Sequence, residues 1–234
     1  MAGFTVLMPT FNEAQHIERT LRQVFSNLKK LKLHPEVLVV DDSTDETPKI
    51  LEKLSHKFST LRYIHRKSGK GVGSAIREGI HEATSEFIII YMADAPNDTK
   101  YFPSILKKLR EGNDIVQTSR FIESSKMVGY PLKKRISNWI CNRFINVIFW
   151  ESELKDFSSL FKGFKKTKIL ELKLESNYFD LGLEIALKGI RKHYRIVEVP
   201  VNWFEREMGE SKLKLSRYAK DYALRIFKIW FFYR

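Results

Sequence analysis

Oxygen-bearing side chains stand at the ends of three apolar runs. Phe4 to Met8 leads into Pro9-Thr10-Phe11-Asn12-Glu13, Val37 to Val40 into Asp41-Asp42-Ser43-Thr44-Asp45, and Phe87 to Tyr91 into Met92-Ala93-Asp94. Carboxylates in this number do not converge without a cation, a sugar or basic partners to balance them. Asp41 and Asp42 are placed to accept hydrogen bonds from a base or ribose. Capping of a helix entered at Thr47 by Asp45 or Ser43 accounts for one of these acids, not for three in five residues. Asp94, with Asn97 and Asp98 just after it, offers oxygen ligands for Mg²⁺ or Mn²⁺ against a diphosphate; the alternative is that Asn97 or Asp98 caps a helix near Tyr101. Arg66-Lys67-Ser68-Gly69-Lys70-Gly71-Val72-Gly73 is a basic glycine loop running into a helix, where backbone N–H groups can meet a phosphate. Its spacing is neither a Walker loop nor a G-x-G-x-x-G fingerprint, and an ordinary turn has similar composition. Together the three clusters read as a nucleotide-sugar site.

The elements that must position these groups follow from periodicity. Apolar, β-rich runs of four to six residues are strands buried on both faces, and the helical patterns between them make the strands parallel. Glu13 to Leu31 is an amphipathic helix with Ile17, Leu21, Val24 and Leu28 on one face. Thr47-Pro48 opens a second helix, Val72 to Ala83 is a third and Tyr101 to Arg110 a fourth; Leu61 to His65 and Asp114 to Thr118 are further strands. The fold class is therefore α/β, a doubly wound, mostly parallel, Rossmann-like sheet whose carboxyl edge collects Asn12, Glu13, Asp41, Asp42 and Asp94.

The chain has 234 residues, enough for one domain with elaborations, and its net charge is +13. From Arg120 to Lys168 eleven basic residues face only Glu123, Glu151, Glu153 and Asp156. Such a field attracts polyanions, phosphorylated substrates or anionic lipid among them. No reader motif for nucleic acid accompanies it, and acidic strand ends would repel a phosphate backbone. The lone Cys141 excludes a disulfide framework, fits a reducing compartment and reads as an inert thiol. The six histidines show no metal-ligand spacing. No leader and no run of ~18 uncharged apolar residues is read in the chain. Between 129 and 150, and again between 218 and 233, aromatic and aliphatic residues alternate with Lys and Arg. Both stretches suit a membrane interface, although a core helix is the commoner explanation of the first.

Taken in order, these residues resemble glycosyltransferase family 2, in its dolichyl-phosphate mannose synthase-like branch. Pro9 to Glu13 looks like its opening motif and Asp41 to Thr47 like its DD-x-S-x-D-G-T segment, one residue shorter and with Glu46 for Gly. Lys67 to Ala75 is similar to its glycine loop, and Ser119-Arg120-Phe121 with Lys134-Arg135-Ile136-Ser137 to its acceptor-phosphate elements. Asp156 to Lys162 resembles D-x-T-S-G-F-R; Glu184, Val199-Pro200-Val201 and Arg206 to Lys212 resemble its closing motifs. The family's D-x-D reads Met92-Ala93-Asp94 here, so the first carboxylate is missing.

The resemblance implies a GT-A type catalytic domain over 1–212 and an amphipathic helix over 213–234 that meets a membrane interface or a partner. It implies an inverting transfer of a hexose, mannose favoured, from a nucleotide sugar, GDP-mannose favoured, to a polyprenyl phosphate at the cytoplasmic face of a membrane. Pro9, Thr10, Asn12, Glu13, Asp41, Asp42, Thr44, Lys70, Gly71 and Asp94 would bind the donor. Arg120, Arg135, Ser137, Arg206 and Lys212 would hold the acceptor phosphate, with Asp94, Arg120 and Arg135 central to catalysis. Asp156 and Glu184 would touch the sugar or organise the acceptor site, and a membrane-anchored partner protein is compatible with the missing anchor. The rivals are a transferase of the same fold with a saccharide or other hydroxyl acceptor, for which Asp156 or Glu184 would serve as base, and a non-catalytic nucleotide-sugar-binding homologue.

Overall fold

The structure, a computed structural model, describes residues 3–69, 71–93, 96–150, 152–204 and 215–233, without the side chains of 96–98, 134, 204 and 215–219. Lys70, Asp94, Arg206 and Lys212 lie outside the described residues, and so do the side chains of Asn97 and Asp98.

In chain order the elements are β1 (Phe4–Thr10), α1 (Ile17–Lys30), β2 (Glu36–Asp41), α2 (Thr47–Lys57), β3 (Leu61–His65), α3 (Val72–Glu82), β4 (Phe87–Ile90), a 3₁₀ turn (Pro96–Tyr101), α4 (Phe102–Arg110), β5 (Ile115–Ser119), β6 (Met127–Val128), α5 (Leu132–Ile148), β7 (Lys162–Lys165), α6 (Lys166–Glu171), α7 (Leu181–Arg191), β8 (Ile196–Pro200), β9 (Trp203–Phe204) and α8 (Leu215–Phe232). Seven strands form one sheet in the order β3-β2-β1-β4-β7-β5-β8. Its pairs are parallel except those of β7, which runs against both β4 and β5. The antiparallel β7 brings the segment before it, Asp156 to Phe161, to the edge where the parallel strands end.

Alternate strand residues feed opposite faces. Val6, Met8, Val37, Val39, Phe87 and Ile89 pack with α1, α2 and α4, while Leu7, Leu38, Val40, Ile88 and Ile90 pack with α3, α6 and α7. A third cluster joins α5, α7 and α8 through Ile145, Leu183, Leu187, Ile226 and Ile229. Pro9 lies in β1 past its last pair with β4, Leu7↔Ile90, where a missing N–H costs least.

The first helix starts at Ile17 rather than Glu13. Residues before it form turns, and the backbone N–H groups of Glu13 and Ala14 donate to Thr47 Oγ1 (3.0 Å) and Asp45 Oδ2 (3.2 Å), tying this stretch to the start of α2 and the loop before it.

Candidate active site

Parallel register sets the first part of the edge. Thr10, Asp41 and His65 are cross-strand neighbours at the ends of β1, β2 and β3. Their side chains close on one another: Thr10 Oγ1 donates to Asp41 Oδ1 at 2.8 Å, and His65 Nδ1 lies 2.9 Å from Asp41 Oδ2. Ser43 Oγ adds a third bond at 2.5 Å. Asp41 is fully buried, so the structure corrects the expectation that it faces a base or ribose. Its carboxylate fastens three strand ends together.

The loops that follow are zipped by side-chain bonds. Asn12 takes a left-handed φ of 52°, which a short amide side chain tolerates, and its Oδ1 accepts from Thr44 N at 2.9 Å and Thr44 Oγ1 at 3.4 Å. Asn12 N donates to Ser43 Oγ at 2.7 Å. Asp45 Oδ1 accepts from Thr47 N at 3.0 Å, so this acid caps α2. Burial works against its charge, but the bonds from Thr47 and Ala14 outweigh that and hold its carboxyl below the ordinary range. Asn12, Glu13 and Thr44 thus stand together on the edge, beside Asp42.

Asp42 is gripped side-on by Arg66, with Nε 2.6 Å from Oδ1 and Nη2 2.5 Å from Oδ2. Arg66 reaches on to Ser74 Oγ at 2.9 Å and Glu78 at 3.2 Å. The glycine loop lies directly against this pair, for a Cβ at Gly69 would fall 2.1 Å from Asp42 Cγ. Gly71 has φ +103°, a conformation that glycine adopts freely. The amides at the start of α3 do not face open space: Gly73 N donates to Asn177 O at 2.9 Å and Ser74 N to the same oxygen at 3.3 Å. The phosphate reading of this helix start is corrected for those two amides, which hold the 174–178 segment instead.

On the other half of the edge, Arg120 follows β5 and Asp156 precedes β7. Arg120 Nε is 2.7 Å from Asp156 Oδ2, Nη2 is 3.0 Å from Oδ1, and Nη2 also reaches Ser158 Oγ at 3.0 Å. Although burial opposes its charge, the Asp156 carboxylate holds the Arg120 guanidinium above its ordinary pKa. Glu198 in β8 fixes the backbone here, accepting from Lys155 N and Asp156 N at 3.0 Å each. Tyr130 ties Arg120 to α5: Arg120 Nη1 lies 3.5 Å from its oxygen, and Asn138 Nδ2 donates to it at 2.6 Å.

Arg120 and Arg135 line one cleft of about 350 Å³, with Met127, Leu132, Ile136 and Trp139. Two arginines and six apolar residues line it together with one carboxylate, Glu123, and Ser125, a net positive lining that suits an anion carried on a hydrocarbon chain. Ser137 is exposed on α5 but is absent from this lining. Tyr130 and Glu198 organise the edge without having been singled out by the sequence pattern, and Arg66, read there as the head of a phosphate-binding loop, turns to Asp42 instead.

Glu184 lies elsewhere. It is fully buried in α7, accepts from Glu175 N at 3.0 Å and Ser176 N at 2.8 Å, and pairs with Lys188 at 2.7 Å. The expectation that it touches the sugar or the acceptor is corrected: it braces the 174–178 segment. Met92 is partly buried and packs against the apolar cluster that includes Leu7, Ile88 and Ile90. Among the described residues no group of three His, Cys, Asp or Glu side chains is placed to hold a metal ion.

Around the cleft mouth α5 turns apolar side chains outward. Ile136, Trp139, Ile140, Phe144 and Val147 are exposed, and so are Leu224, Phe227, Phe231 and Phe232 of α8. The core-helix explanation fails for the outer stripe of α5 and holds for Ile145, which is buried. Among the described residues no helix is long and apolar enough to cross a membrane.

The chain is 29% identical over 226 residues to a dolichol-phosphate mannosyltransferase of Pyrococcus furiosus, covering 96% of this chain and 63% of that one. It is 26% identical over 214 residues to an undecaprenyl-phosphate mannosyltransferase of Micrococcus luteus, covering 88% and 86%. It is 25% identical over 232 residues to the glycosyltransferase AglD of Haloferax volcanii, covering 97% and 36%. The chain thus spans less than two thirds of the length of the Pyrococcus and Haloferax relatives. Its fold superposes on glucosyl-3-phosphoglycerate synthase of Mycobacterium tuberculosis in complex with Mn²⁺, UDP and glucosyl-3-phosphoglycerate, with TM-score 0.73, 15% identity and coverage of 97% of this chain and 79% of that one. The same enzyme with Mg²⁺ and UDP gives TM-score 0.73 at 13% identity, again covering 97% and 79%. These likenesses establish the GT-A type fold. Residues 5–172 match the sequence model of glycosyl transferase family 2, and the chain belongs to that family.

Proposed function

We propose that this chain transfers a hexose, mannose favoured, from a nucleotide sugar, GDP-mannose favoured, to a polyprenyl phosphate at the cytoplasmic face of a membrane. The observation that carries this reading is the convergence of Arg120 and Arg135 on one apolar-walled cleft beside the outward stripe of α5. An acceptor phosphate monoester has its second pKa near ~6 and is already anionic at neutral pH, so no strong base is needed. Its oxygen attacks the anomeric carbon in line; the bond from that carbon to the nucleoside diphosphate breaks, and the configuration inverts. Arg120 and Arg135 hold the attacking phosphate, with Arg206 and Lys212 assigned to the same task by the closing motif. Asp156 keeps Arg120 oriented. Asn12, Glu13, Asp42 and Thr44 are assigned to the nucleoside half. Arg66 occupies one lone pair on each Asp42 oxygen, and the remaining lone pairs are the ones assigned to a base or ribose. Residues 1–212 form the catalytic unit in this proposal, and 213–234 an interfacial helix.

A hydroxyl acceptor would need a carboxylate base. Asp156 is committed to Arg120 and Glu184 to Lys188 and two backbone amides, which counts against that rival. The test is a donor screen. The protein is incubated with a short polyprenyl phosphate and GDP-mannose, UDP-glucose or related donors, with divalent ion or with EDTA. The expected result is a glycolipid from one donor. Transfer to a free saccharide and none to the lipid phosphate overturns the proposal, and the EDTA arm reports whether a divalent ion is required.

A further inference from the structure

We infer that Arg225, on α8 and outside the cleft, is a positioning residue for the glycine loop, acting through the 174–180 segment. The inference rests on the reading that this loop meets the donor nucleotide. The segment is held on two sides. On one side Arg225 Nε donates to Asp180 Oδ2 at 3.0 Å, and its Nη1 lies 3.4 Å from Glu175 Oε2 and 3.5 Å from Glu184 Oε1. Lys228, also on α8, meets Glu175 Oε2 at 2.5 Å, and Tyr222 Oη donates to Phe179 O at 3.2 Å. Asp180 and Glu184 are both buried, so Arg225 counters charges that water does not reach. Glu184 passes the restraint on through its bonds to the Glu175 and Ser176 amides, and Ser176 Oγ donates to Asp180 Oδ1.

On the other side the segment grips the start of α3. Asn177 O accepts from Gly73 N and Ser74 N, Arg77 Nη2 donates to Asn177 Oδ1 at 2.6 Å, and Arg77 Nη1 donates to Leu174 O at 3.2 Å. No slack separates the two: a Cβ at Gly73 would fall 2.6 Å from Tyr178 O, and one at Gly71 2.7 Å from Asn177 O. A shift of residues 176–178 is therefore a shift of the first turn of α3 and of the loop that enters it. That loop lies on Asp42 and carries Arg66. Removing the Arg225 guanidinium leaves buried Glu184 with Lys188 and buried Asp180 without the cation that pairs with it, loosens the segment, and so loosens the donor side of the edge while leaving the Arg120–Arg135 cleft in place.

The test compares Arg225→Ala and Arg225→Lys with the full chain. Amide hydrogen exchange is read at residues 73–75, GDP or UDP affinity by titration, and KM separately for donor and acceptor. Arg225→Ala should speed exchange at 73–75 and weaken nucleotide binding by about 10-fold, within the usual span of coupling between sites. Donor KM should rise, acceptor KM should stay unchanged, and Arg225→Lys should restore part of the loss. Unchanged exchange at 73–75, or equal changes in both KM values, overturns the inference. If Arg225→Ala does not fold, Lys228→Ala, at an exposed residue, should give the same pattern with smaller size, and its absence there overturns the inference too. A wild-type chain that binds no nucleotide refutes the proposed function, while the exchange measurement still decides the coupling.

Discussion

Asp156 meets the edge of the Arg120 guanidinium with both oxygens, 2.7 Å from Nε and 3.0 Å from Nη2, and does so without exposure to solvent. Two parallel bonds fix the plane of the guanidinium, which a single bond cannot do. The arginine is thereby held against the segment before β7, its Nη1 lies 3.5 Å from the Tyr130 oxygen, and the residue lines the cleft shared with Arg135. Asp156→Asn keeps the shape but removes the charge that offsets a buried cation. Breaking such a pair costs about 3–5 kcal/mol, and the amide oxygen retains part of it. The expected outcome is a loss of stability toward the lower end of that range in urea, with acceptor KM raised and donor KM unchanged. A variant as stable as the wild type would refute the assignment of this pair as a buried anchor.

Lys162 gives a prediction in pH. It opens β7, is fully buried, and donates to Gly182 O at 2.6 Å. Burial drives its pKa down from 10.5 to about 7, with Asp156 pulling weakly the other way. Between those values the unfolded chain binds a proton that the folded chain does not, so this group makes stability rise with pH from about 7 to 10.5. Below pH 7 both states are charged and the full penalty applies. Lys162→Met removes the penalty and loses the Gly182 bond at every pH. Its Tm relative to wild type should therefore be higher at pH 6 than at pH 9. The same difference at both pH values would mean that Lys162 is charged in the fold throughout.

Much of the sheet was readable because Phe4 to Met8, Val37 to Val40 and Phe87 to Tyr91 carry the apolar signature of doubly covered strands. The antiparallel β7 was not, since Lys162-Gly163-Phe164-Lys165 has no such run and its burial comes from neighbours on both sides. Arg120 and Arg135 were legible as a pair through the resemblance. The fate of the acids was not. Asp41 and Asp42 are adjacent and chemically identical, yet register sends one inward to Thr10 and His65 while the other meets Arg66. Glu184 reads as a site residue by motif and is a brace by position, because nothing in the sequence says that the backbone amides of Glu175 and Ser176 arrive beside it.

Gly73 is the sharpest steric case. A methyl group there would meet backbone on three counts: Tyr178 O at 2.6 Å, the Asn177 carbonyl carbon at 2.7 Å and Ser176 O at 2.8 Å. Backbone cannot rotate out of the way as a side chain does, so overpacking costs about 1–3 kcal/mol. Gly73→Ala should lower Tm and release the 174–178 segment, seen as faster amide exchange at Ser176 as well as at Gly73-derived and neighbouring positions of α3. Gly3→Ala serves as the control, for its nearest neighbour would be Ser85 Oγ at an ordinary 3.5 Å. Equal behaviour of the two variants would count against the tight seam between α3 and the segment.

The outer stripe of α5 supplies the last prediction. Phe144 is 57% exposed and Val147 76% exposed, one helical turn apart, and neither lines the cleft. In water such a stripe is a liability, whereas at a lipid interface it buries apolar area and the net charge of +13 draws the chain to anionic headgroups. Replacing both with Glu should leave stability within about 0.5 kcal/mol, as for exposed positions generally. Sedimentation with vesicles containing anionic phospholipid should then show wild-type binding that weakens with salt, and binding by the double variant that is lost. Turnover of a short-chain, water-soluble acceptor phosphate should be unchanged in the same variant, since Arg120 and Arg135 are untouched. Vesicle binding that survives both substitutions would remove α5 from the interface and leave the stripe to a protein partner.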